Sequence, residues 1–472
     1  MLKRISFFSA IIGVVFISMT QAQSGQGLEV SDGLFVKMHG YGYLEAGQIG
    51  HGNLSYKAQQ DIVNGSDNFI NHLWTEDGYV SLGFDAVYKD NLEMAASLGT
   101  QLYFSYPQIN VSGSRFTKNV RQDVAIDDAF ARFHFGDSAS SLFVAQIGYF
   151  KFKYNPDVRN LGEYMFRTGT YPIFFNMSFD FAQTRLLGLH LQENLFESLK
   201  LDALLVSSTI SPTQDWSIAG LANYDVAKLH FVNIGAGIDF ANILNVYNNS
   251  SFSRGFGLNG VGDPTTPHVG NAFFVENGDT SYYTFTGTKL MGRISIDPKV
   301  FMPWRDIMGE DDLKLYAEAD LIGVKNYPDS GYTGSTTTEK TLVAPSYDKW
   351  WQRMPISIGF NVPTFKTMDV LNAEVEWFGA KYYNDASNVI TYGSAPLPWD
   401  WQDKTNIKYV KSEIKWSVYA KKSMFDKHFA LIGQVGRDHL RLPCALYDSE
   451  SWAELLVTSK DWWWTLKTNW SF

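Results

Sequence analysis

The chain has 472 residues, of which 45% are hydrophobic, 15% aromatic and only 19% charged, with a formal net charge of -10. The acidic balance speaks against nucleic acid as a partner, and the single cysteine, Cys444, excludes an internal disulfide framework. Past the extreme N-terminus no apolar run approaches the ~18 residues that a spanning helix needs, so any part of the chain that lives in a membrane must do so as strands.

At the N-terminus, Lys3 and Arg4 precede an apolar and small-residue run from Ile5 to Met19, and Thr20 and Ala22 supply the small residues of a signal-peptidase site. Residues 1–22 are therefore expected to be a signal peptide cleaved after Ala22. The loss of Lys3 and Arg4 takes the net charge from -10 to -12. No linker or shift of composition divides the remaining 450 residues (472 minus 22), which read as one domain, 23–472.

Along that domain, stretches of about ten residues alternate apolar with polar or small side chains, the period of a strand with two different faces. Val80, Leu82, Phe84, Ala86 and Tyr88 share a parity opposite Tyr79, Ser81, Gly83 and Asp85. After the turn Lys89-Asp90-Asn91, Leu92, Met94, Ala96 and Leu98 oppose Glu93, Ser97, Gly99 and Gln101, which makes a hairpin. The same alternation recurs at Leu313 to Leu321, Leu371 to Trp377 and Glu413 to Lys421. The spacing predicts about sixteen strands. They begin near Leu34, Val80, Leu92, Val124, Leu142, Gln183, Leu199, Ser217, Leu229, Tyr282, Leu313, Arg353, Met368, Ile407, His428 and Trp462.

Tight turns near Asp90, Asp137, Glu193, Ala227, Pro363 and Phe425 alternate with longer connections, and Pro298 to Asp311 is the one long turn on the short side. The fold expected is all-β, a closed antiparallel transmembrane β-barrel with short periplasmic turns and long extracellular loops. A soluble sandwich would share the alternation but would have a polar outer face. The final strand carries Trp462, Trp464, Leu466, Thr468, Trp470 and Phe472 on one parity. Trp464, Leu466, Trp470 and Phe472 are read as the assembly signal that presents such barrels to the barrel-assembly machinery, and as part of an aromatic girdle at the membrane interface. Lipid of the outer membrane is then a partner, and flat apolar walls are compatible with a homotrimer.

A lumen of sixteen strands is too wide for side chains to fill, and Gln23 to Gly33 is too short to form a plug. The connection 153–182 is the candidate for an eyelet loop folded into that lumen. The preceding segments Asp127-Asp128-Ala129-Phe130-Ala131-Arg132 and Val144-Ala145-Gln146-Ile147-Gly148-Tyr149-Phe150-Lys151-Phe152 resemble a strand pair of sixteen-stranded outer-membrane porins, distantly those of the phosphate-selective family. The resemblance covers about fifty residues in detail. It implies a constriction lined by Asp157, Arg159, Glu163 and Arg167, with Arg132, Lys289, Arg293, Glu374, Glu376 and Lys415 as pore-wall partners by parity. It departs from phosphate selectivity because the inward charges are mixed, with acids ahead. The function it implies is a water-filled, weakly selective pore for small hydrophilic solutes, mildly cation-preferring.

The residues support no enzyme, cofactor or metal. Gly255-Phe256-Gly257-Leu258-Asn259-Gly260 matches a dinucleotide fingerprint but lacks a following helix. Asp438-His439 lacks a nucleophile and reads as a rim pair. The alternative function is a surface-exposed binder or adhesin, in which the aromatic loops Tyr247 to Thr280 and Tyr382 to Trp401 bind polysaccharide, with Trp399 and Trp401 stacking on sugar rings.

Overall fold

The computed structural model describes residues 28–52, 71–72, 74–109, 116–135, 143–166, 184–195, 198–207, 216–226, 231–244, 287–324, 350–379, 414–438 and 458–472. It also describes short pieces at 273–276, 279–282, 331–333, 341–343, 440, 443–444, 449–450 and 456. The expected signal peptide lies outside the described residues.

Sixteen strands make the body of the fold. The first eight are β1 (Leu34–His51), β2 (Trp74–Tyr88), β3 (Leu92–Ile109), β4 (Phe116–Phe135), β5 (Phe143–Phe152), β6 (Thr184–Leu195), β7 (Leu199–Ser207) and β8 (Trp216–Asp225). They continue with β9 (Val232–Leu244), β10 (Gly287–Ile296), β11 (Leu315–Leu321), β12 (Pro355–Asn361), β13 (Val370–Phe378), β14 (Ile414–Met424), β15 (Phe429–Arg437) and β16 (Trp462–Ser471). Each pairs antiparallel with the next, and β16 pairs back onto β1, with Tyr41 opposite Ser471 and Gln48 opposite Trp464. The sheet is therefore closed. Every predicted strand is present.

β2 and β4 begin earlier than the alternation suggests, at Trp74 and Phe116. Thr75, Glu76 and Asp77 are polar on both parities, and a hydrogen-bonded ladder continues there without needing an apolar face. Asp279–Tyr282, near the expected start of β10, instead pairs with Phe273–Glu276 in a separate small sheet. A short strand, Leu28–Ser31, folds back at Gly33 (φ 72°) onto the start of β1. It covers the stretch of β1 that β16 does not reach, because the exchange of backbone hydrogen bonds between Gly40 and Phe472, 3.0 Å each, is the last on that edge.

The two faces invert the arrangement of a soluble protein. Outward residues are apolar and exposed, among them Leu82, Phe84, Ile126, Ile147, Leu290, Val375 and Leu466, with Leu98 62% and Ile358 57% accessible. Inward residues are polar and buried, among them Ser81, Gln101, Asp202, Ser217, Asp239, Lys289, Glu318, Asn372 and Ser417. A sandwich would bury the first set and expose the second.

The seam between first and last strands is fitted. A Cβ at Gly40, Gly42 or Gly50 of β1 would overlap the ring of Phe472, Trp470 or Trp462 respectively. The outward aromatics of β16 thus lie flat over glycines of β1, a device that restores apolar cover where a strand lacks side chains.

Candidate functional site: a loop latched across the barrel

The β4–β5 ladder ends at Ala129 opposite Tyr149, whereas β5–β6 continues to Phe152 opposite Thr184. The far ends of β5 and β6 therefore leave the wall as a pair, with Lys151 and Arg185 side by side. β4 meets them with a bulge: Ser97 of β3 faces Asp128 but Leu98 faces Ile126, so Asp127 is the extra residue. A bulge re-aims side chains, and here two consecutive carboxylates reach the same cation, Lys151. Lys151 Nζ donates to Asp127 Oδ2 at 3.0 Å and Asp128 Oδ2 at 2.9 Å, and Arg185 pairs with Asp127. This cluster fixes the angle at which the chain enters the lumen.

Residues 153–166 then cross to the opposite wall. On one side the arc is apolar: Met165 and Phe166 join Phe150, Phe152, Leu204, Val206, Leu221 and Met291 in a buried cluster with β5 to β10. On the other side it meets carboxylates. Glu374 on β13 accepts the backbone N–H groups of Arg159 (2.6 Å), Asn160 (2.8 Å) and Leu161 (2.8 Å), and also the Tyr316 hydroxyl (2.5 Å). Glu318 on β11 accepts the Tyr154 hydroxyl at 2.7 Å, Asn155 Nδ2 at 2.6 Å and Tyr164 N at 3.2 Å. The Tyr164 hydroxyl donates to Glu376 at 2.7 Å, and Lys289 Nζ to the Met165 carbonyl at 2.6 Å. Peptide donors that would otherwise be orphaned inside the barrel thus find anionic acceptors, the stronger kind.

Local sequence makes the bend possible. Gly162 (φ 101°) and Glu163 (φ 56°) are both left-handed, and a Cβ at Gly162 would press on Val158. The reversal lets Glu163 accept Asn155 N at 2.9 Å and close the arc on itself. Tyr154 lies on the loop and is wholly buried. Burial first, and then the negative charges of Asp320, Glu318 and Glu163, hold its hydroxyl pKa well above the usual tyrosine value. It therefore stays protonated and donates.

The expected constriction residues fall unequally. Asp157 and Glu163 are buried, and Asp157 Oδ1 lies 3.9 Å from Lys314 Nζ. Arg159 reaches Asp311 at 3.0 Å. Arg167 lies outside the described residues. Of the wall residues, Glu374, Glu376 and Lys289 hold the arc directly. Arg293 is bonded to Asn223 at 3.0 Å through Nε. Arg132 bonds Gln146 and Glu93, and Lys415 donates to the carbonyls of Asp438 and Leu456. Glu318, Tyr154, Asn155, Tyr164 and Tyr316 are not among the site residues expected from the sequence. The parity of Glu318, shared with Tyr316 and Asp320 in an otherwise apolar strand, was its signal.

On the wall formed by β1, β2 and β16, Tyr43 and Tyr79 stack at 5.7 Å, and Lys467 Nζ sits 4.1 Å from the Tyr43 ring centre while pairing with Glu45. Gln101 Nε2 donates to Asp77 at 2.9 Å. His439, Trp399, Trp401 and nearly all of the aromatic loops assigned to the alternative binding function lie outside the described residues.

No family model matches the chain, and no curated protein matches it. Among solved structures it is similar to OmpT, an outer membrane protein of Vibrio cholerae, at 9% identity over 94% of this chain and 99% of that one, TM-score 0.42. It is likewise similar to the outer membrane channel DcaP of Acinetobacter baumannii (10% identity, 95% and 100% coverage, TM-score 0.40). A third is OccK2 of Pseudomonas aeruginosa in complex with glucuronate (8%, 93% and 98%, TM-score 0.38).

Proposed function

We propose that this chain is an outer-membrane porin, a water-filled channel for small hydrophilic solutes that the arc 153–166 narrows. The observation that carries the reading is the inversion of the barrel: a polar inner face, crossed by a loop anchored on wall carboxylates, inside an apolar outer face that only lipid solvates well. Sixteen strands enclose more space than wall side chains fill, and the one described element that enters that space is held by Glu318, Glu374 and Glu376.

Selectivity is weak and leans to cations. On the wall that the arc meets, β9 to β13, the inward carboxylates Asp239, Glu318, Asp320, Glu374 and Glu376 outnumber the inward Lys289 and Arg293, and charge lining a pore sets the local counter-ion concentration. A phosphate pore would call for the opposite balance. Protein folded in detergent and added to a planar bilayer should give stepwise conductance, with a reversal potential on the cation side in a salt gradient. Absence of any conductance would overturn the channel, and strong anion selectivity would overturn the charge argument.

A further inference from the structure

Asp239 on β9 and Asp320 on β11 flank Lys289 on β10, with Asp239 opposite Lys289 in one ladder and Asp320 opposite Met291 in the next. All three side chains are fully buried, at 0% accessibility. None of the four carboxylate oxygens receives a hydrogen bond. Lys289 does not supply one, because its ammonium is turned to the Met165 carbonyl of the arc. A carboxylate with no donor is among the least favourable groups to bury. Two of them on adjacent inward positions leave four acceptor oxygens to which the one cation between them, Lys289, donates nothing.

Beside them the surroundings are methyl-rich. A Cβ at Gly237, two residues before Asp239 on the same face, would lie 2.8 Å from Met165 Cε and 3.2 Å from both Leu221 Cδ2 and Met291 Cε. A hydrated metal ion has no use for such neighbours, whereas an ammonium on an alkyl chain matches both halves.

We propose that Asp239 and Asp320 form a subsite for the primary alkylammonium group of a permeating solute, with the alkyl part against Met165, Met291 and Leu221. The proposal rests on the channel reading above and names the class of solute. Lys289 closes the subsite: its bond to Met165 holds the end of the arc over the acids, and the incoming ammonium enters as that bond opens.

The probes are n-butylammonium, ammonium and n-butanol, added to single channels of the full chain in potassium chloride. Butylammonium should block, at a half-blocking concentration about tenfold or more below that of ammonium, and butanol should not. Asp239→Asn and Asp320→Asn each replace a carboxylate that accepts no hydrogen bond and should keep the fold, as heat-modified gel mobility would report. Each should weaken the butylammonium block by about tenfold, read relative to the potassium conductance of the same variant. Equal block by ammonium and butylammonium, or block that survives both substitutions, overturns the subsite. Calorimetric titration of butylammonium into the detergent-folded protein needs no conductance. Saturable heat that both variants lose supports the subsite, and no saturable heat overturns it even where channels open. Channels that never open while heat is saturable overturn the channel reading alone.

Discussion

Glu374 gathers four hydrogen bonds, three of them from consecutive peptide N–H groups of the arc. Hydrogen bonds to a charged group contribute about 1.5–3 kcal/mol each, so this side chain and Glu318, which also takes three bonds from the arc, are the principal ties between arc and wall. Glu374→Ala should release the arc from β13, raise single-channel conductance and lower the thermal midpoint. Glu374→Gln keeps one acceptor oxygen and should restore part of the wild-type conductance. Unchanged conductance in the alanine variant would show that the arc does not limit flow.

Asp312 acts at the other end of the barrel. Its Oδ2 accepts Gly309 N at 2.8 Å and Phe365 N at 3.0 Å, and its Oδ1 accepts the Thr364 hydroxyl at 3.0 Å, which ties the turn before β11 to the turn between β12 and β13. Burial alone would raise its pKa, but these donors favour the anion and bring it below the ordinary 3.8. A folded pKa below the unfolded one means that folding favours the ionised form. The stability it contributes is complete above the ordinary value and is lost as pH falls through the lowered one. Asp312→Asn should therefore melt below the wild type at neutral pH, and the gap should close as pH falls through and below the ordinary value of 3.8. Parallel melting curves across that range would rule out this role.

At the scale of the element, the β1–β16 seam is where closure is most exposed to mutation. Gly42→Val drives a branched side chain into the Trp470 ring, and overpacking of this kind costs about 1–3 kcal/mol. It should lower the thermal midpoint in detergent. Gly292→Ala and Gly433→Ala, where an added Cβ meets nothing within 4 Å, should leave it unchanged. Equal effects at all three positions would mean that the aromatics of β16 are not seated on glycine.

The seam and the strands were legible to different degrees. Parity is a local property, so the inward placement of Lys289, Arg293, Glu374 and Glu376 can be read from alternation alone. The meeting of Tyr154 with Glu318 across 164 residues of sequence cannot, because it depends on how the loop crosses a lumen whose width is set by all sixteen strands. The bulge at Asp127 is an intermediate case. Two adjacent acids in a strand break the alternation visibly, but only pairing with β3 shows that both reach Lys151.

For the whole molecule, the outer face decides between a barrel in lipid and one in water. Leu98 lies mid-strand on β3, pointing outward, and its neighbours across the ladders, Leu82 and Ile126, are likewise apolar and exposed. In water, replacing such a leucine with arginine would be close to neutral and would aid solubility. In a bilayer it places a charge near the midplane, at a cost of about 2–4 kcal/mol that falls toward zero at the interfaces. Leu98→Arg should therefore lower folding stability in lipid vesicles by that amount. Ser97→Arg, one residue along and facing the lumen, should affect conductance more than stability. Neutral behaviour of Leu98→Arg in vesicles, with full solubility in the absence of detergent, would remove lipid from the outer face and the pore with it.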